Sequence, residues 1–193
     1  MQVLIIDRKK LGVIFVVMGL MIFIFCIGIK LDGRIRATAF IQNNLGELKE
    51  YKIEEYNTTY KLPSKWETNI ESFPGNEITY HNNFKSENDG INGFVQVWNY
   101  RGSLKEFLDM SKKNSERENK VKNFNIYNIL INNKDAYLVK YKMNAHGNVF
   151  YAYEYFIKQD NVFIRFAFYI REDKTNANMP SVFKAIVETM KKQ

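Results

Sequence analysis

The sequence predicts an α+β protein, in which an N-terminal transmembrane helix is followed by an antiparallel β-sheet with packed helices, an α/β/α sandwich. Three observations lead to this prediction. Residues 11–29 form an apolar run, four strand-like segments follow one another between residues 125 and 170, and amphipathic helical patterns flank these strands. The length of 193 residues allows one domain plus an appendage, and an aromatic content of 15% with 3 Pro favours a folded domain rich in sheet.

The N-terminal apolar run has the length of a membrane span. From Leu11 to Ile29 there are nineteen residues without a charge. A helix of that length measures about 28 Å, close to the ~30 Å hydrocarbon core of a bilayer. Arg8, Lys9 and Lys10 precede the run and Lys30 follows it, as expected of interface anchors. The sequence therefore predicts a short basic tail over residues 1–10 and a single transmembrane helix over residues 11–29.

The apolar run is expected to stay on the protein as a signal anchor. It is longer than the roughly 7–15 apolar residues of a cleaved signal, and Ala37-Thr38-Ala39, which matches a cleavage site, lies downstream behind several basic residues. Cys26 follows Phe25 within the run, whereas a lipobox places a small residue before the lipidated Cys, so a lipoprotein is not predicted. Release of a secreted protein after Ala39 stays as an alternative.

The orientation of the predicted helix is not set by its flanking charges. Three Lys or Arg residues lie on each side, so the positive-inside rule does not decide. The one Cys of the chain is Cys26, and a following domain without Cys suits an oxidising compartment. Because single N-terminal anchors commonly present their domain outside, we expect an extracytoplasmic C-terminal domain at a cell membrane. The many Asn, Lys and Ile residues are typical of an AT-rich bacterial genome.

The net charge of +7 does not indicate a nucleic-acid partner. Residues 1–36 hold six basic and two acidic residues, which leaves 22 basic and 19 acidic residues over 37–193. Most of the excess therefore flanks the apolar run, whereas phosphate binding needs Lys and Arg clustered on a folded face. The bilayer is the predicted partner of the run from Leu11 to Ile29, and no nucleic acid is expected.

The first half of the domain is predicted to contain three strands and a helix. Residues 30–50 connect the membrane helix to the domain, which spans residues 51–193. Strands are predicted over residues 51–60, 77–84 and 91–100, and Asn88-Asp89-Gly90 between the last two is a strong hairpin signal. Ser103 and Glu106 form a capping box, and the apolar spacing behind them predicts a helix over residues 104–117.

The second half is predicted to be an antiparallel meander closed by a helix. Strands at 125–131, 136–143, 149–158 and 162–170 are separated by short polar turns. The last strand places five apolar residues on one face: Val162, Ile164, Phe166, Phe168 and Ile170. Pro180 suits a helix start. The apolar stripe beyond it must cover a face of the sheet, and it consists of Val182, Phe183, Ile186, Val187 and Met190.

The order of the motifs in this domain is distinctive. A Tyr-Lys-Leu-Pro-Ser-Lys-Trp segment ending at Trp66 precedes the strand pair and the Ser-capped helix. The closing helix comes after three further segments, which read Asn-Lys-Asp-Ala-Tyr, Tyr-Ala-Tyr-Glu-Tyr and Phe-Ile-Arg-Phe. Over roughly residues 50–191 this order resembles the PsbP/Mog1-like α/β/α sandwich family, which includes membrane-attached bacterial proteins. The resemblance implies a non-enzymatic binding module, since members include extrinsic subunits of photosystem II, a small-GTPase-binding protein, lipoproteins and chaperones for secreted effectors. Partners differ across the family, so no site residue is carried over.

Residues suited to catalysis or metal binding are few. His81, near a strand end, and His146, in a turn, belong to neither a His-Glu-x-x-His nor a Cys-x-x-Cys pattern. A calcium loop placed on Asp89-Gly90 fails because Lys85 and Gln96 stand where carboxylates are required. Phosphate-loop, dinucleotide and Gly-x-Ser-x-Gly motifs are missing from the sequence. We therefore expect no catalytic residue, no metal site and no cofactor.

Aromatic residues remain as candidates for a functional surface. Trp66, Trp98 and Tyr100 are predicted, with His81, to line a partner-binding groove, and the tyrosine row at 151, 153 and 155 could contribute. The alternative is that these aromatics fill the layer between sheet and helices.

The sequence thus favours a single-pass membrane-anchored, non-enzymatic binding or accessory protein that engages an unidentified protein or cell-envelope partner. The alternative is a membrane-tethered envelope hydrolase that uses His81 with a carboxylate from Glu77 or Asp89.

Overall fold

The structure, a computed structural model, describes residues 18, 20, 21, 46–117, 121–145 and 147–193. Of the predicted transmembrane helix it describes Met18, Leu20 and Met21, which are helical and have exposed side chains. The rest of that helix, the predicted basic tail and residues 30–45 of the predicted connector lie outside the described residues. Within the described part of the chain, no helix combines the length and the apolar character needed to cross a bilayer.

From residue 46 onward, the described chain alternates strands with two helices. In chain order these elements are β1 (Leu48–Ile53), β2 (Thr58–Pro63), β3 (Glu67–Ile70), β4 (Ile78–Ser86), β5 (Ile91–Asn99), α1 (Leu104–Arg117), β6 (Val121–Ile131), β7 (Lys134–Ala145), β8 (Asn148–Gln159), β9 (Val162–Arg171), α2 (Met179–Val187) and β10 (Lys191–Lys192). The prediction of an α+β fold is confirmed.

Seven strands form the main sheet, in the order β3-β4-β5-β9-β8-β7-β6. All of its neighbouring strands are antiparallel. The predicted meander is confirmed, because β6, β7, β8 and β9 are neighbours in chain order. β9 then pairs with β5, which joins the meander to the β4–β5 hairpin.

A smaller sheet joins distant parts of the domain. β2 lies at its centre, between β1 and β10. The backbone N–H of Gln193 donates to the carbonyl of Asn57 at 2.8 Å, and the side-chain amide of Asn57 donates to the carbonyl of Gln193 at 2.9 Å. The segment that follows α2 is therefore fastened to the hairpin that opens the domain.

One side of the main sheet, here called the core face, packs against α2 and the smaller sheet. The ring of Phe168 on β9 stacks on Phe183 of α2 with centroids 4.5 Å apart, and Tyr60 of β2 meets Phe166 at 5.6 Å. The five apolar residues predicted to share one face of β9 are all buried there, with exposures between 0% and 7%. This part of the prediction is confirmed.

The opposite side of the main sheet, here called the α1 face, packs against α1. Leu104 and Leu108 of the helix are buried in a cluster with three residues of β7, β8 and β9, namely Val139, Phe156 and Phe163. The helix begins and ends at the predicted residues, 104 and 117. With α2 on one side of the sheet and α1 on the other, the described elements form three layers.

The prediction of a single strand over residues 51–60 is wrong. A 3₁₀ turn at Glu54–Tyr56 and a left-handed φ of 45° at Asn57 reverse the chain, so β1 and β2 form a hairpin instead. β1 begins at Leu48, within the segment assigned to the connector. β3 was not predicted at all, because this strand has only four residues and most of them are polar and exposed.

Candidate functional site

Part of the α1 face is not covered by any described helix. α1 packs over β6, β7, β8, the start of β9 and Trp98 at the end of β5, and on this face no described helix packs over β3, β4 and the rest of β5. A cleft of about 470 Å³ lies there, here called the open cleft. It is lined by Glu67, Thr68, Asn69, Asn83, Phe84, Lys85, Asn92, Gly93, Phe94 and Tyr169. A concave site with a few converging polar groups is the usual form of a ligand site.

Strand register explains why polar and aromatic side chains meet in the open cleft. Across one row of the sheet, Lys85 pairs with Asn92, which pairs with Tyr169. In the next row, Asn83 lies between Asn69 and Phe94. Because side chains alternate between the two faces of a strand, residues two apart on β4, β5 and β9 reach the same side. The cleft is therefore floored by amides, aromatic rings and the charged side chain of Lys85 rather than by Leu, Ile or Val side chains.

A buried ion pair supports one wall of the cleft. Glu154 of β8 accepts two hydrogen bonds from Arg165 of β9, at 2.8 and 3.1 Å, and its side chain is 5% exposed. The hydroxyl groups of Tyr141 and Tyr169 donate to the same carboxylate at 2.7 and 2.9 Å. Such a fully satisfied network fixes its members, so the ring of Tyr169 is held in place at the edge of the cleft.

Electrostatics keep this network in one protonation state. Burial acts to raise the pKa of Glu154, but the charge of Arg165 and the hydrogen bonds donated to the carboxylate outweigh burial, and the pKa lies below its ordinary value. Burial, together with the charge of Glu154, raises the pKa of Tyr141 and of Tyr169. The network therefore consists of a carboxylate and neutral hydroxyl donors, which suits a structural role.

A chain of four side chains leads from α1 to the open cleft. Trp98 Nε1 donates to Gln96 Oε1 at 2.9 Å, so the amide nitrogen of Gln96 faces His81 Nδ1, at 2.8 Å. His81 Nδ1 must then accept, and the Nε2–H donates to Asn83 Oδ1 at 2.7 Å. With its oxygen so engaged, the amide nitrogen of Asn83, which bonds to no described residue, is available to a ligand in the cleft.

The four residues predicted to line a groove do not lie together. His81 and Trp98 share the hydrogen-bonded chain on the α1 face, and Trp98 and Tyr100 also pack near Phe107 of α1, at 6.0 and 5.3 Å. Trp66 lies on the core face, where it stacks on Phe84 at 5.1 Å and is 4% exposed. Trp66 is thus part of the hydrophobic core: it lies in the turn between β2 and β3 and belongs to the buried cluster that includes Leu62 of β2.

His81 has no carboxylate partner among the described residues. Both of its ring nitrogens contact amide side chains, while Asp89 accepts a hydrogen bond from Ser86 at 2.6 Å in the β4–β5 turn. Glu77 likewise forms no hydrogen bond or ion pair with His81, and His146 lies outside the described residues. In the described ranges of the chain, no cluster of His, Cys, Asp and Glu could hold a metal ion.

Most residues of the open cleft could not be recognised in the sequence. Asn69 lies on β3, a strand that was not predicted, and Asn83 and Asn92 carry no motif. A signal did exist for the supporting network. Glu154 and Arg165 each lie in a strand that carries apolar residues at every second position. Each of the two charged side chains points to the face opposite those apolar residues. Adjacent strands placed them within reach of one another.

Comparison with known proteins identifies the fold. No protein-family model matches the chain, and no curated protein matches it. The structure is similar to the solution structure of cyanobacterial PsbP (CyanoP) from Synechocystis sp. PCC 6803, with a TM-score of 0.56 and 12% identity, over 76% of this chain and 92% of that chain.

The structure is also similar to a crystal structure of a protein from Bacteroides thetaiotaomicron VPI-5482, with a TM-score of 0.52 and 12% identity. That match covers 75% of this chain and 48% of the other, so this chain corresponds to about half the length of the Bacteroides protein. The resemblance based on the order of the motifs is confirmed at the level of architecture: the chain has a PsbP-like fold.

Proposed function

We propose that this protein is a membrane-tethered, non-enzymatic accessory protein, whose PsbP-like domain holds an extended segment of a partner protein along β3 and across the open cleft. The observation that carries the proposal is the open cleft itself, a polar and aromatic depression that no described helix covers and that adjoins a free sheet edge. Extended peptides commonly join such edges and place alternate side chains in neighbouring pockets.

The edge beside the cleft has the chemistry that a partner strand requires. β3 pairs only with β4 among the described strands, so its outer backbone groups are free to pair with another chain. Ile70 at the end of β3 is 62% exposed, and because it pairs with Asn82 it faces the side of the strand opposite the cleft. Phe73 just beyond it is 42% exposed, and its ring meets that of His81 on the cleft side at 4.9 Å. Main-chain hydrogen bonds along β3 would supply affinity, while these two apolar side chains and the amides of the cleft would select the segment.

The tether in this proposal is the apolar run from Leu11 to Ile29. Its support is the uncharged sequence, and Met18, Leu20 and Met21 are helical with exposed side chains. The lack of Cys after residue 26 supports a domain outside the cell membrane. A tether confines the domain to the surface where its partner lies, which raises the effective concentration of each for the other.

Site-specific photo-crosslinking tests the docking surface. A photoreactive phenylalanine analogue replaces Ile70 in the full chain, in cells that make the protein, and in a matched control it replaces Leu130, which is 55% exposed on β6. We expect an adduct from position 70, none from position 130, and loss of the adduct when Asn83→Trp fills the cleft. Equal adducts from both positions, or an adduct unaffected by Asn83→Trp, would contradict the proposed surface.

Fractionation tests the tether. The full chain is expected to sediment with membranes through high salt and to require detergent for release, whereas a chain lacking residues 1–29 is expected in the aqueous fraction. Protease added outside intact cells should degrade the domain. Intact polypeptide in a detergent-free wash would refute the tether, and protection from external protease would refute the orientation.

A further inference from the structure

A second concave surface lies on the core face, beyond the area that α2 covers. It is a groove of about 240 Å³ between β6, β7 and β8, here called the lysine–tyrosine groove. Its lining includes Asn123, Asn125, Tyr127, Lys140, Lys142, Tyr151 and Tyr153. The groove and the open cleft are on opposite sides of the main sheet, so a ligand of the groove is independent of the partner segment proposed for the cleft.

Two lysines lie over the tyrosine rings of the groove. Lys140 Nζ lies 5.3 Å from the ring centroid of Tyr127 and 5.6 Å from that of Tyr153, so the ammonium sits between two aromatic side chains. Lys142 Nζ lies 4.3 Å from the centroid of Tyr151. Contact with ring faces orients an ammonium group without using its hydrogen-bond donors.

Several donors of the groove have no acceptor in the part of the chain that the structure describes. Among the described residues, no carboxylate or carbonyl accepts from Lys140 Nζ or from the hydroxyl groups of Tyr127 and Tyr153. Lys142 differs, because Glu172 accepts from it at 3.4 Å and from Tyr151 at 3.2 Å. The ammonium of Lys140 and the hydroxyl groups of Tyr127 and Tyr153 therefore converge on one concave surface. The described residues of that surface place no carboxylate beside Lys140.

A β-bulge shapes the rim of the groove. The register of β6 against β7 shifts between Lys122 and Asn125, and Asn123 has a φ of 57°. Bulges re-aim side chains and are common beside binding sites. Here the bulge brings two amide side chains, those of Asn123 and Asn125, to one wall of the groove, and Asn125 Nδ2 is held by the carbonyl of Asn123 at 2.9 Å.

We propose that the lysine–tyrosine groove binds an acidic glycan through a carboxylate or phosphate group. Lys140 would pair with the oxyanion, since Lys acts as a point charge toward such groups, and the hydroxyl groups of Tyr127 and Tyr153 would donate to it or to sugar oxygens. The amides at the bulge can bond to sugar hydroxyl groups, because an amide both donates and accepts.

Two other anionic partners fit the groove less well. An acidic peptide lying over Lys140 would find no free backbone ladder there, because the backbone groups of β7 are paired with β6 and β8. The outer edge of β6, which pairs with no other described strand, lies to the side of the groove and not over Lys140. A membrane surface is broad and flat, whereas the donors of the groove lie in a narrow depression. A saccharide is bonded by side chains alone, which is what the groove offers.

Calorimetric titration of the purified full chain in neutral detergent tests the proposal. The probes are hexagalacturonate and phosphorylated maltohexaose, with unmodified maltohexaose as the uncharged counterpart. We expect at least one acidic probe to bind, the uncharged probe not to bind, and affinity to fall as salt is raised. Lys140→Gln should weaken binding about tenfold or more, and Tyr127→Phe about fivefold. Lys140→Arg, which keeps the charge, should bind within about threefold of the unaltered protein.

A matched control exists on another part of the surface. Lys49 Nζ lies 5.3 Å from the ring centroid of Tyr51, so Lys49→Gln removes the same charge from the same kind of contact outside the groove. It should leave binding unchanged. The proposal is overturned if neither acidic probe binds, if Lys49→Gln weakens binding as much as Lys140→Gln, or if oligoglutamate or phosphatidylglycerol vesicles bind through Lys140 as tightly as the glycans. Near-ultraviolet circular dichroism of each variant confirms that it is folded.

Discussion

The buried ion pair between Glu154 and Arg165 gives a sharp test of what stabilises the sheet. Replacing Glu154 with Ala removes four accepted hydrogen bonds and leaves Arg165 without its counter-charge. Breaking a buried pair by removing one partner costs about 3–5 kcal/mol. The Arg165 side chain is 21% exposed and borders a cavity of about 140 Å³ beneath α1, so water can reach it in the variant. We therefore expect about 3 kcal/mol, the lower end of that range.

A double variant shows how much of the loss comes from leaving one charge buried without its partner. Glu154→Met with Arg165→Leu replaces both charges by apolar side chains of similar volume, and such replacements are often neutral or stabilising. We expect it to recover most of the free energy of unfolding lost in Glu154→Ala. The hydroxyl groups of Tyr141 and Tyr169 would still lose their acceptor, which limits the recovery to within about 1–2 kcal/mol of the unaltered protein.

Urea unfolding followed by tryptophan fluorescence measures these differences. Trp66 lies in the core and Trp98 lies beneath α1, so the two reporters cover both sides of the sheet. A loss below about 1 kcal/mol in Glu154→Ala would contradict a stabilising buried pair. So would a double variant that loses as much as Glu154→Met and Arg165→Leu, each made singly, lose together.

Further predictions concern acid stability, a turn, the core and a tautomer. The pKa of Glu154 is lower in the folded protein than in the unfolded chain, so ionised Glu154 contributes to the free energy of unfolding. This contribution is complete above the unfolded pKa of about 4.3 and is lost as pH falls through the folded pKa. The difference in unfolding free energy between the unaltered protein and Glu154→Ala should therefore shrink in acid. Asn133 has a φ of 62° in the β6–β7 turn, so Asn133→Val should lower stability by about 1–3 kcal/mol in urea unfolding. Phe168→Ala should cost about 3–5 kcal/mol by the same measurement, since this ring is fully buried against Phe183. Nitrogen NMR of His81 should show the tautomer with the proton on Nε2, and Trp98→Phe should populate the tautomer with the proton on Nδ1. An unchanged Nε2–H tautomer in Trp98→Phe would contradict the proposed chain of hydrogen bonds.

The sequence was most informative where local periodicity and burial agree. The alternating apolar residues of β9 and the helical spacing behind Ser103 predicted elements that the structure contains, because each pattern reflects a single buried face. The hairpin at Asn57 was missed because residues 54–57 contain neither Gly nor Pro, the strongest turn signals, and only the left-handed φ of Asn57 reveals the reversal. β3 was missed because an exposed edge strand has no apolar pattern to detect.

The candidate sites were harder to predict because they arise from register. Lys85, Asn92 and Tyr169 come from three strands that are adjacent only in the folded sheet. The lysine–tyrosine groove likewise needs the pairing of β6, β7 and β8. The sequence could indicate that aromatics are abundant, but it could not say which face each strand presents to α1. Trp66 and Trp98, which look equivalent in sequence, accordingly lie on opposite faces.

The pairing of β10 with β2 has a consequence for biogenesis. Lys191 and Lys192 are synthesised more than a hundred residues after their partners Thr59 and Thr58, so the smaller sheet has only two of its described strands while the ribosome is still making the meander. In a chain tethered as proposed, the N-terminal helix would enter the translocation machinery long before that sheet is complete. The domain would therefore cross as an incompletely folded polypeptide, and its maturation would take place on the far side of the membrane.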